Sequence, residues 1–293
     1  MNFNCQTKEN VNLKNYNTYR VSAMCKTIVF PKNVAELQDV ISNCLHLGIK
    51  FFVLGNGSNV ILNGEYFDGV VINMLSLTGA EKVSADEIIA YSGTMMPKLV
   101  RFALDNNLQG LEWASGIPGT LGGGIYGNCG AYKECIFDYL EEIIVLHNGK
   151  IEHMKKEKVA YDYRTSFFKN KKQYVIVAAR LKLKPGNKEA GQEIIADRLK
   201  RRMASQPLTY PSAGSVFRNP AVDIYAGKLI EDCNLKGYKI GGAEVSNKHA
   251  NFIVNTGGAT AKDIITIINY LKKTIKDKYD IDLILEQEIV NWE

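Results

Sequence analysis

The sequence has 293 residues, of which 46% are hydrophobic and 23% are charged, and its net charge is +5. Because disordered chains combine low hydrophobicity with high net charge, this composition excludes disorder and predicts a large core split over two or three units. No stretch reaches the ~18 consecutive apolar residues that a membrane span needs. Residues 1–5 show no export signal, and the basic clusters at 155–158, 169–172 and 200–202 are interpreted as solvated surface rather than a nucleic-acid track.

The six cysteines form no Cys-x-x-Cys pair, and the four histidines do not stand at metal-ligand spacing beside them. Without an export signal, we expect a reducing compartment, in which scattered cysteines are mostly small apolar fillers. The sequence therefore predicts a cytoplasmic, metal-free protein.

Taken in chain order, the patterns predict first a strand, a helix capped by Asn33, and a second strand, at 27–31, 34–47 and 51–54. Further strands are expected at 69–73, 88–92, 140–145 and 174–183, with helices at 96–106 and 189–203. Two prolines in residues 206–211 mark a plausible boundary. Beyond it, we expect helices at 225–233 and 260–276 and strands at 251–254 and 281–290.

Two glycine-rich stretches stand out. The first, Gly55–Asn59, follows a strand but fails the Rossmann fingerprint, because Val60 occupies the third glycine position. In the second, eight of the 21 residues from Gly110 to Gly130 are glycine. Glycine allows successive N–H groups to point into one concavity and bind an anion. A hairpin turn could explain the first stretch and tight turns in a β region the second, but together they fit a dinucleotide pyrophosphate held from both sides.

Six blocks of the chain, in order, resemble the UDP-N-acetylenolpyruvylglucosamine reductase family, which reduces an enolpyruvyl ether to a lactyl ether. The resemblance runs from about Asn17 to Glu288. The blocks are residues 54–59, 115–132, 163–167, 211–220, 226–251 (in three pieces) and 285–288.

The resemblance implies an α+β fold, with a two-subdomain FAD-binding domain of the vanillyl-alcohol-oxidase-like (PCMH-type) class and a smaller C-terminal α/β substrate domain. The FAD-binding domain is expected at residues 1–190, with subdomains of about 1–55 and 56–190. The substrate domain is expected at residues 205–293, and its last strand carries Glu288. The implied FAD-binding residues are Gly55, Asn56, Gly57, Ser58, Asn59, Ser115, Gly116, Ile117, Gly119, Thr120, Gly122, Gly123, Asn128, Gly130 and Ala131. The first stretch has no His or Cys for covalent attachment, so a dissociable flavin is expected, with Cys129 as a packing residue.

This chain departs from the family at residues 17–23, which lack a Gly-Gly that often follows the Asn-Thr pair. We therefore expect the contacts of that turn to differ from those of the family. The short segment between Arg164 and Ser215 resembles the subtype without an extra substrate-covering loop.

The implied catalytic residues are Ser215, Arg164 and Glu288. Ser215 would donate a proton to the enolate-like charge that follows hydride transfer from reduced flavin, and Gly214 would let a turn present it. Arg164 would hold the substrate carboxylate with a two-pronged contact. Glu288 would help to polarise the enolpyruvyl group, while Glu286, two residues earlier on one face of the last strand, is expected to be structural.

The resemblance implies substrate contacts from Tyr132, Tyr163, Asn219, Lys228 and His249. The product would be UDP-N-acetylmuramate, a peptidoglycan precursor. The resemblance alone implies NADPH as the electron donor, since it is the donor that the family usually uses. We expect a monomer, although no feature of the sequence indicates the oligomeric state. Two other functions remain open. A flavin oxidase of the wider class would need a covalent attachment residue or an oxygen-reactive site, and a sugar-nucleotide sensor without turnover would not need the three catalytic residues.

Overall fold

The computed structural model describes residues 3–292, and by its internal contacts the chain divides into two compact units. Unit 1 holds the described residues up to Glu9 together with Thr27–Asn56 and Asp68–Arg201; unit 2 holds Asn10–Lys26, Gly57–Phe67 and the chain from Arg202 onward. Both units are thus discontinuous in sequence. The predicted domains, 1–190 and 205–293, follow chain order and stay a prediction; their residues 1, 2 and 293 lie outside the described part, as do the first two residues examined for an export signal.

The helices are α1 (Val34–His46), α2 (Met96–Asp105), α3 (Leu121–Gly127), α4 (Lys188–Ser205), α5 (Ala226–Asp232) and α6 (Ala261–Tyr279). The first ten strands are β1 (Gln6–Asn12), β2 (Met24–Phe30), β3 (Phe51–Leu54), β4 (Val60–Asn63), β5 (Tyr66–Asn73), β6 (Ala80–Lys82), β7 (Glu87–Tyr91), β8 (Leu108–Gln109), β9 (Gly130–Ala131) and β10 (Glu134–Cys135). The others are β11 (Leu140–His147), β12 (Lys150–Lys155), β13 (Tyr161–Asp162), β14 (Thr165–Ser166), β15 (Tyr174–Lys182), β16 (Lys184–Pro185), β17 (Lys239–Ile240), β18 (Ala243–Val245), β19 (Ile253–Asn255) and β20 (Glu288–Asn291).

Unit 1 is built on two sheets. One has the order β12-β11-β15-β7-β6, with every neighbouring pair antiparallel, and the other has the order β1-β2-β5-β3, with β3 and β5 parallel. Asn33 caps α1 through a bond from the Glu36 N–H, and the helix buries Leu37, Val40 and Ile41 beside the second sheet's core. A larger core, which includes Trp113, Phe137 and Phe168, lies with α2, α3 and the five-stranded sheet.

Unit 2 packs α5 and α6 with the antiparallel sheet β17-β18-β19. A capping box between Thr260 and Asp263 starts α6, and its apolar face buries Ile264, Ile268, Leu271 and Ile275 at helical spacing. A parallel pair, β4 and β20, completes the unit.

The predicted helices and most predicted strands are confirmed to within a few residues. The last strand is the exception, because only Glu288–Asn291 of the predicted 281–290 form β20. Leu285 pairs instead as an isolated antiparallel bridge with Phe217, while Glu288 pairs in parallel with Val60. The chain changes partner between these two residues, so one uninterrupted strand cannot form.

Candidate active site

The second glycine-rich stretch folds in unit 1 as a short 3₁₀ helix, Glu112–Ala114, followed by α3, and is not a β region. Thr120 caps α3, with its Oγ1 accepting from the Gly123 N–H at 3.3 Å. The N–H groups of Leu121, Gly122 and Gly124 donate to the carbonyls of Thr94, Ser92 and Thr120. The expectation that successive N–H groups here point into one open concavity is therefore wrong for 121–124, whose donors are engaged within the protein.

Several glycines in this stretch are required by close packing inside the protein. A Cβ on Gly122 would lie 2.8 Å from the Ser92 Cβ, and one on Gly130 would lie 2.4 Å from the Glu134 carbonyl oxygen. Around Gly127, by contrast, no heavy atom lies within 4 Å of such a Cβ, and Gly123 meets only ordinary contact at 3.5 Å. Of these four positions, only Gly123 and Gly127 leave room for a ligand to approach the backbone.

The first half of the Gly55–Asn59 stretch lies against the second stretch within unit 1. The Asn56 Nδ2 donates to the Pro118 carbonyl at 2.6 Å. A Cβ on Gly55 would lie 2.7 Å from the Thr120 Oγ1. Two stretches more than fifty residues apart in sequence are therefore in contact; their binding of a pyrophosphate stays a prediction.

The other half, Gly57–Asn59, belongs to unit 2, where it meets the segment that departs from the family. The Gly57 carbonyl accepts from the Thr18 N–H at 3.1 Å, and Gly57 has φ +64°. A Cβ there would lie 2.4 Å from the Tyr16 carbonyl oxygen, so only glycine fits. The buried Asn17 amide braces the same turn by donating to the carbonyls of Leu13 and Val21; this brace shapes the turn without the missing glycines.

Two buried polar atoms beside these stretches have no hydrogen-bond partner among the described residues: the Asn73 Nδ2 and the Ser92 Oγ. Asn73 pairs with Leu54, directly before Gly55, and Ser92 supplies the carbonyl that holds Gly122. An unsatisfied buried polar group costs ~1–3 kcal/mol, which a polar ligand at this place would recover. The residues present therefore fit a group such as FAD. Neither residue is among those predicted from the sequence, although Asn73 carried a signal, as a polar residue at the end of a buried strand.

The hairpin β9–β10 turns through Tyr132 and Lys133, both with positive φ. Arg198 from α4 covers it: its guanidinium lies 4.6 Å from the Tyr132 ring centroid, and its Nη2 lies 3.3 Å from the Glu134 Oε1. Tyr132 remains 47% exposed. Arg198 and Glu134, which fix this hairpin, are absent from the predicted site.

Arg164 sits with Tyr163 in the two-residue loop between β13 and β14, at φ +57°, a conformation uncommon outside glycine. Its Nη2 donates to the Gly130 carbonyl at 2.5 Å, and its guanidinium lies 5.3 Å from the Tyr163 ring centroid. The neighbouring Asn128 Nδ2 donates to the Asp162 carbonyl. These contacts place the predicted arginine at the end of the glycine-rich stretch, within unit 1.

Ser215 lies in unit 2 between two braced segments. Before it, Gly214 has φ +75°, as expected of a turn that presents the serine. After it, the Val216 N–H donates to the Asn251 carbonyl, and the Asn251 side chain both accepts from the Phe217 N–H and donates to the Phe217 carbonyl. The backbone around the predicted proton donor is held on both sides, because the carbonyls of Ala213 and Gly214 accept hydrogen bonds from the Gln287 side chain.

Glu288 opens β20, and its N–H donates to the Asn59 carbonyl at 2.9 Å. The Phe217–Leu285 bridge and the bond from the Glu286 N–H to the Val216 carbonyl run antiparallel. Ser215 and Glu288 both lie in unit 2, in segments that flank these pairs. Glu286 precedes β20 and does not share a strand with Glu288, contrary to prediction.

Three predicted substrate residues have partners within unit 2. The Asn219 Oδ1 accepts from the Ala226 N–H at the start of α5, and the Lys228 Nζ pairs with Asp232 at 2.5 Å, which raises the pKa of the lysine. The His249 Nδ1 accepts from the Asn251 N–H, and burial lowers the pKa of His249. These contacts give all three a structural role, and His249 supports the same asparagine that braces Ser215.

Among the described residues, no cluster of His, Cys, Asp and Glu could hold a metal ion, and all six cysteines are free. Within that same part of the chain, no helix has the length and apolar character to cross a bilayer.

Comparison with known proteins begins with the domain models. Residues 25–155 match the model described as FAD binding domain, and residues 206–290 match the C-terminal domain of UDP-N-acetylenolpyruvoylglucosamine reductase. The predicted fold class is confirmed: the chain is an α+β flavoprotein, with an FAD-binding domain followed by a smaller C-terminal domain.

Full-length relatives extend this match. The UDP-N-acetylenolpyruvoylglucosamine reductase of Clostridium novyi (strain NT) is 40% identical over 98% of this chain and 93% of its own length, and that of Clostridium tetani (strain Massachusetts / E88) is 40% identical over 97% and 92%. The crystal structure of the reductase from Thermus caldophilus superposes with a TM-score of 0.80 at 30% identity, covering 98% of this chain and all of that one. The chain belongs to the UDP-N-acetylenolpyruvoylglucosamine reductase family, as its six motif blocks predicted.

Proposed function

We propose that the protein reduces UDP-N-acetylglucosamine enolpyruvate to UDP-N-acetylmuramate, a precursor of peptidoglycan, with noncovalent FAD and with NADPH as the electron donor. Family membership supports the substrate. The observation that carries the proposal lies in unit 2, where the residues next to Ser215 and those leading to Glu288 pair through the Phe217–Leu285 bridge and the bond from the Glu286 N–H to the Val216 carbonyl. A proton donor and a carboxylate so arranged suit a reaction that generates and then protonates a carbanion.

Bound FAD, once reduced by NADPH, would supply the hydride that adds to the vinyl carbon of the substrate. Negative charge then develops at the adjoining carbon and its carboxylate, and Ser215 gives its hydroxyl proton to that carbon. Because a serine hydroxyl is a weak acid, its fixed position is essential, and the braces on both sides of the turn provide it.

Arg164 would bind the substrate carboxylate and offset the growing charge. The Arg164 Nη2 donates to the Gly130 carbonyl, and this bond holds the planar guanidinium at the end of the glycine-rich stretch. Glu288 would polarise the enolpyruvyl group. Tyr132 and Tyr163, both about half exposed, are proposed to contact the sugar nucleotide, with Asn219, Lys228 and His249 as further contacts.

The proposed FAD-binding residues are those of the two glycine-rich stretches. Some of them allow the stretches to pack together, and others leave the backbone open to a ligand. Gly55, Gly122 and Gly130 allow the stretches to pack tightly, while Gly123 leaves its side open. Asn56 joins the two stretches. Asn73 and Ser92 are added to the set because of their unsatisfied buried atoms.

The test is anaerobic. Purified protein should be yellow and release FAD on denaturation; the flavin should bleach with NADPH and recover its absorbance when the enolpyruvyl sugar nucleotide is added. A protein that cannot take up FAD, or a reduced flavin that the substrate leaves reduced, would refute the proposal. Rapid reoxidation by oxygen but not by substrate would instead favour the flavin oxidase.

Two finer expectations belong to the same proposal: a monomer, and a place of action in the cytoplasm, where the precursor would be made. Sedimentation of the FAD-loaded protein tests the first, and fractionation of the native cells tests the second.

A further inference from the structure

Gln287 joins the two residues on which the proposed reaction depends, although it belongs to no predicted site. It is only 3% exposed. Its side-chain Nε2 donates to the carbonyls of Ala213 and Gly214, both at 3.1 Å, and its Oε1 accepts from the Tyr19 hydroxyl at 3.0 Å. Both amide donors and the amide oxygen are therefore used.

The two carbonyls fix the orientation of this amide. Carbonyl oxygens only accept hydrogen bonds, so a flipped amide would set its own oxygen against two others in a buried place. Tyr19 reinforces the choice, because its hydroxyl is fully buried and burial raises its pKa, which keeps the donor protonated. The Tyr19 carbonyl is held in turn by the Asn255 Nδ2 at 2.8 Å.

The carbonyls that Gln287 holds belong to the two residues directly before Ser215. Its own backbone leads directly into Glu288, whose N–H is held by Asn59. The Gln287 side chain thus holds the turn that precedes Ser215, while the Gln287 main chain is bonded directly to Glu288. We call the bonds of Gln287 to Ala213, Gly214 and Tyr19 the clamp. Gln287 lies where the chain changes its pairing partner, between the Leu285 bridge and β20.

We propose that Gln287, anchored by Tyr19, is a positioning residue that fixes the Ser215 hydroxyl relative to the Glu288 carboxylate for the proton-transfer step. This inference rests on the proposed function. Gln287 acts through the backbone and touches neither substrate nor reacting atoms.

The test separates the two half-reactions in Gln287→Leu, which replaces the amide by an apolar side chain of similar size and removes all three bonds. We expect flavin reduction by NADPH within twofold of wild type and reoxidation by the enolpyruvyl substrate at least 30-fold slower, with KM changed less than threefold. The solvent deuterium isotope effect on reoxidation should rise, because proton transfer becomes limiting. A crystal structure of the variant should show a displaced 213–215 turn.

The matched control is Thr260→Ala, which removes the α6 cap in the same unit and lowers stability without touching the clamp. Reoxidation at the wild-type rate in Gln287→Leu, or an equal loss of both half-reactions, would overturn the assignment.

If that variant fails to fold, Tyr19→Phe removes only the bond to the Gln287 Oε1. It should slow reoxidation about threefold to tenfold, and a wild-type rate would overturn the assignment equally. A wild-type flavin that substrate does not reoxidise would instead refute the proposed function itself, so the two failures are distinguishable.

Discussion

In unit 1 the candidate site is built from glycines, whose lack of a side chain allows close packing. In unit 2 it is built from buried amide side chains that form hydrogen bonds to the backbone. Glycines 122 and 130 let chain segments approach more closely than a Cβ would permit. In unit 2 the buried amides of Asn17, Asn251 and Gln287 each hold main-chain groups of a turn. In unit 1, close packing at these two glycines accompanies an open backbone at Gly123 and Gly127, where a broad flat cofactor could approach. In unit 2, the fixed main chain suits a proton donor, which needs a single position.

The largest expected effect tests the unit 2 half of this contrast. Ser215→Ala removes the proposed proton donor, so reoxidation of reduced flavin by the enolpyruvyl substrate should slow by about 10³-fold or more, while reduction by NADPH stays nearly intact. Stopped-flow absorbance of the flavin measures both. Ser212→Ala, three residues earlier, is the control and should leave both rates unchanged; equal loss of both half-reactions in Ser215→Ala would make the serine merely structural.

The next effect asks whether unit 1 contributes to chemistry as well as to binding. Arg164→Lys keeps the charge but loses the planar fork, so reoxidation by substrate should slow about 100-fold. Arg180→Lys alters another arginine of unit 1, which pairs with Glu87 on the sheet, and should have no such effect. Equal rates for wild type and Arg164→Lys would remove Arg164 from the site.

Stability measurements test the claim that glycine is needed for packing. Gly130→Ala would set its Cβ 2.4 Å from the Glu134 carbonyl oxygen, and we expect ~1–3 kcal/mol of destabilisation from overpacking. Gly127→Ala, in the same stretch, meets open space within a helix and should be neutral or stabilising by up to about 1 kcal/mol. Urea unfolding of the two variants gives the comparison, and similar stabilities would contradict it.

The smallest effect concerns pH. Burial lowers the pKa of His249 from its ordinary value of about 6.5, so folding favours the neutral ring. Its contribution to stability is therefore complete above about pH 6.5 and is lost as the pH falls through the lower pKa of the folded state. Urea unfolding at pH 7.5 and 5.5 should show a smaller loss at low pH for His249→Gln than for wild type; identical losses would contradict this assignment.

Local pattern predicted the helices well, since α1, α2 and α6 carry their caps or apolar spacing in consecutive residues. Motif resemblance selected Ser215 and Glu288, and that selection stays a prediction, although both residues lie in unit 2. Neither approach could reveal the partner change at Gln287, because it depends on strands drawn from residues 60–63 and 216–218. Nor could local sequence show that the Gly122 N–H is taken by the Ser92 carbonyl, which lies thirty residues away.

The parallel pairing of β4 with β20 has a consequence for dissecting this protein. Unit 2 draws Tyr19 and β4 from the first quarter of the chain, so no single cut can separate the two units intact. A fragment that starts at Arg202 would lack the strand that supports Glu288 and the phenol that orients Gln287. Because joining segments more than two hundred residues apart is slow, recovery of proton transfer should be a late event when the denatured chain refolds.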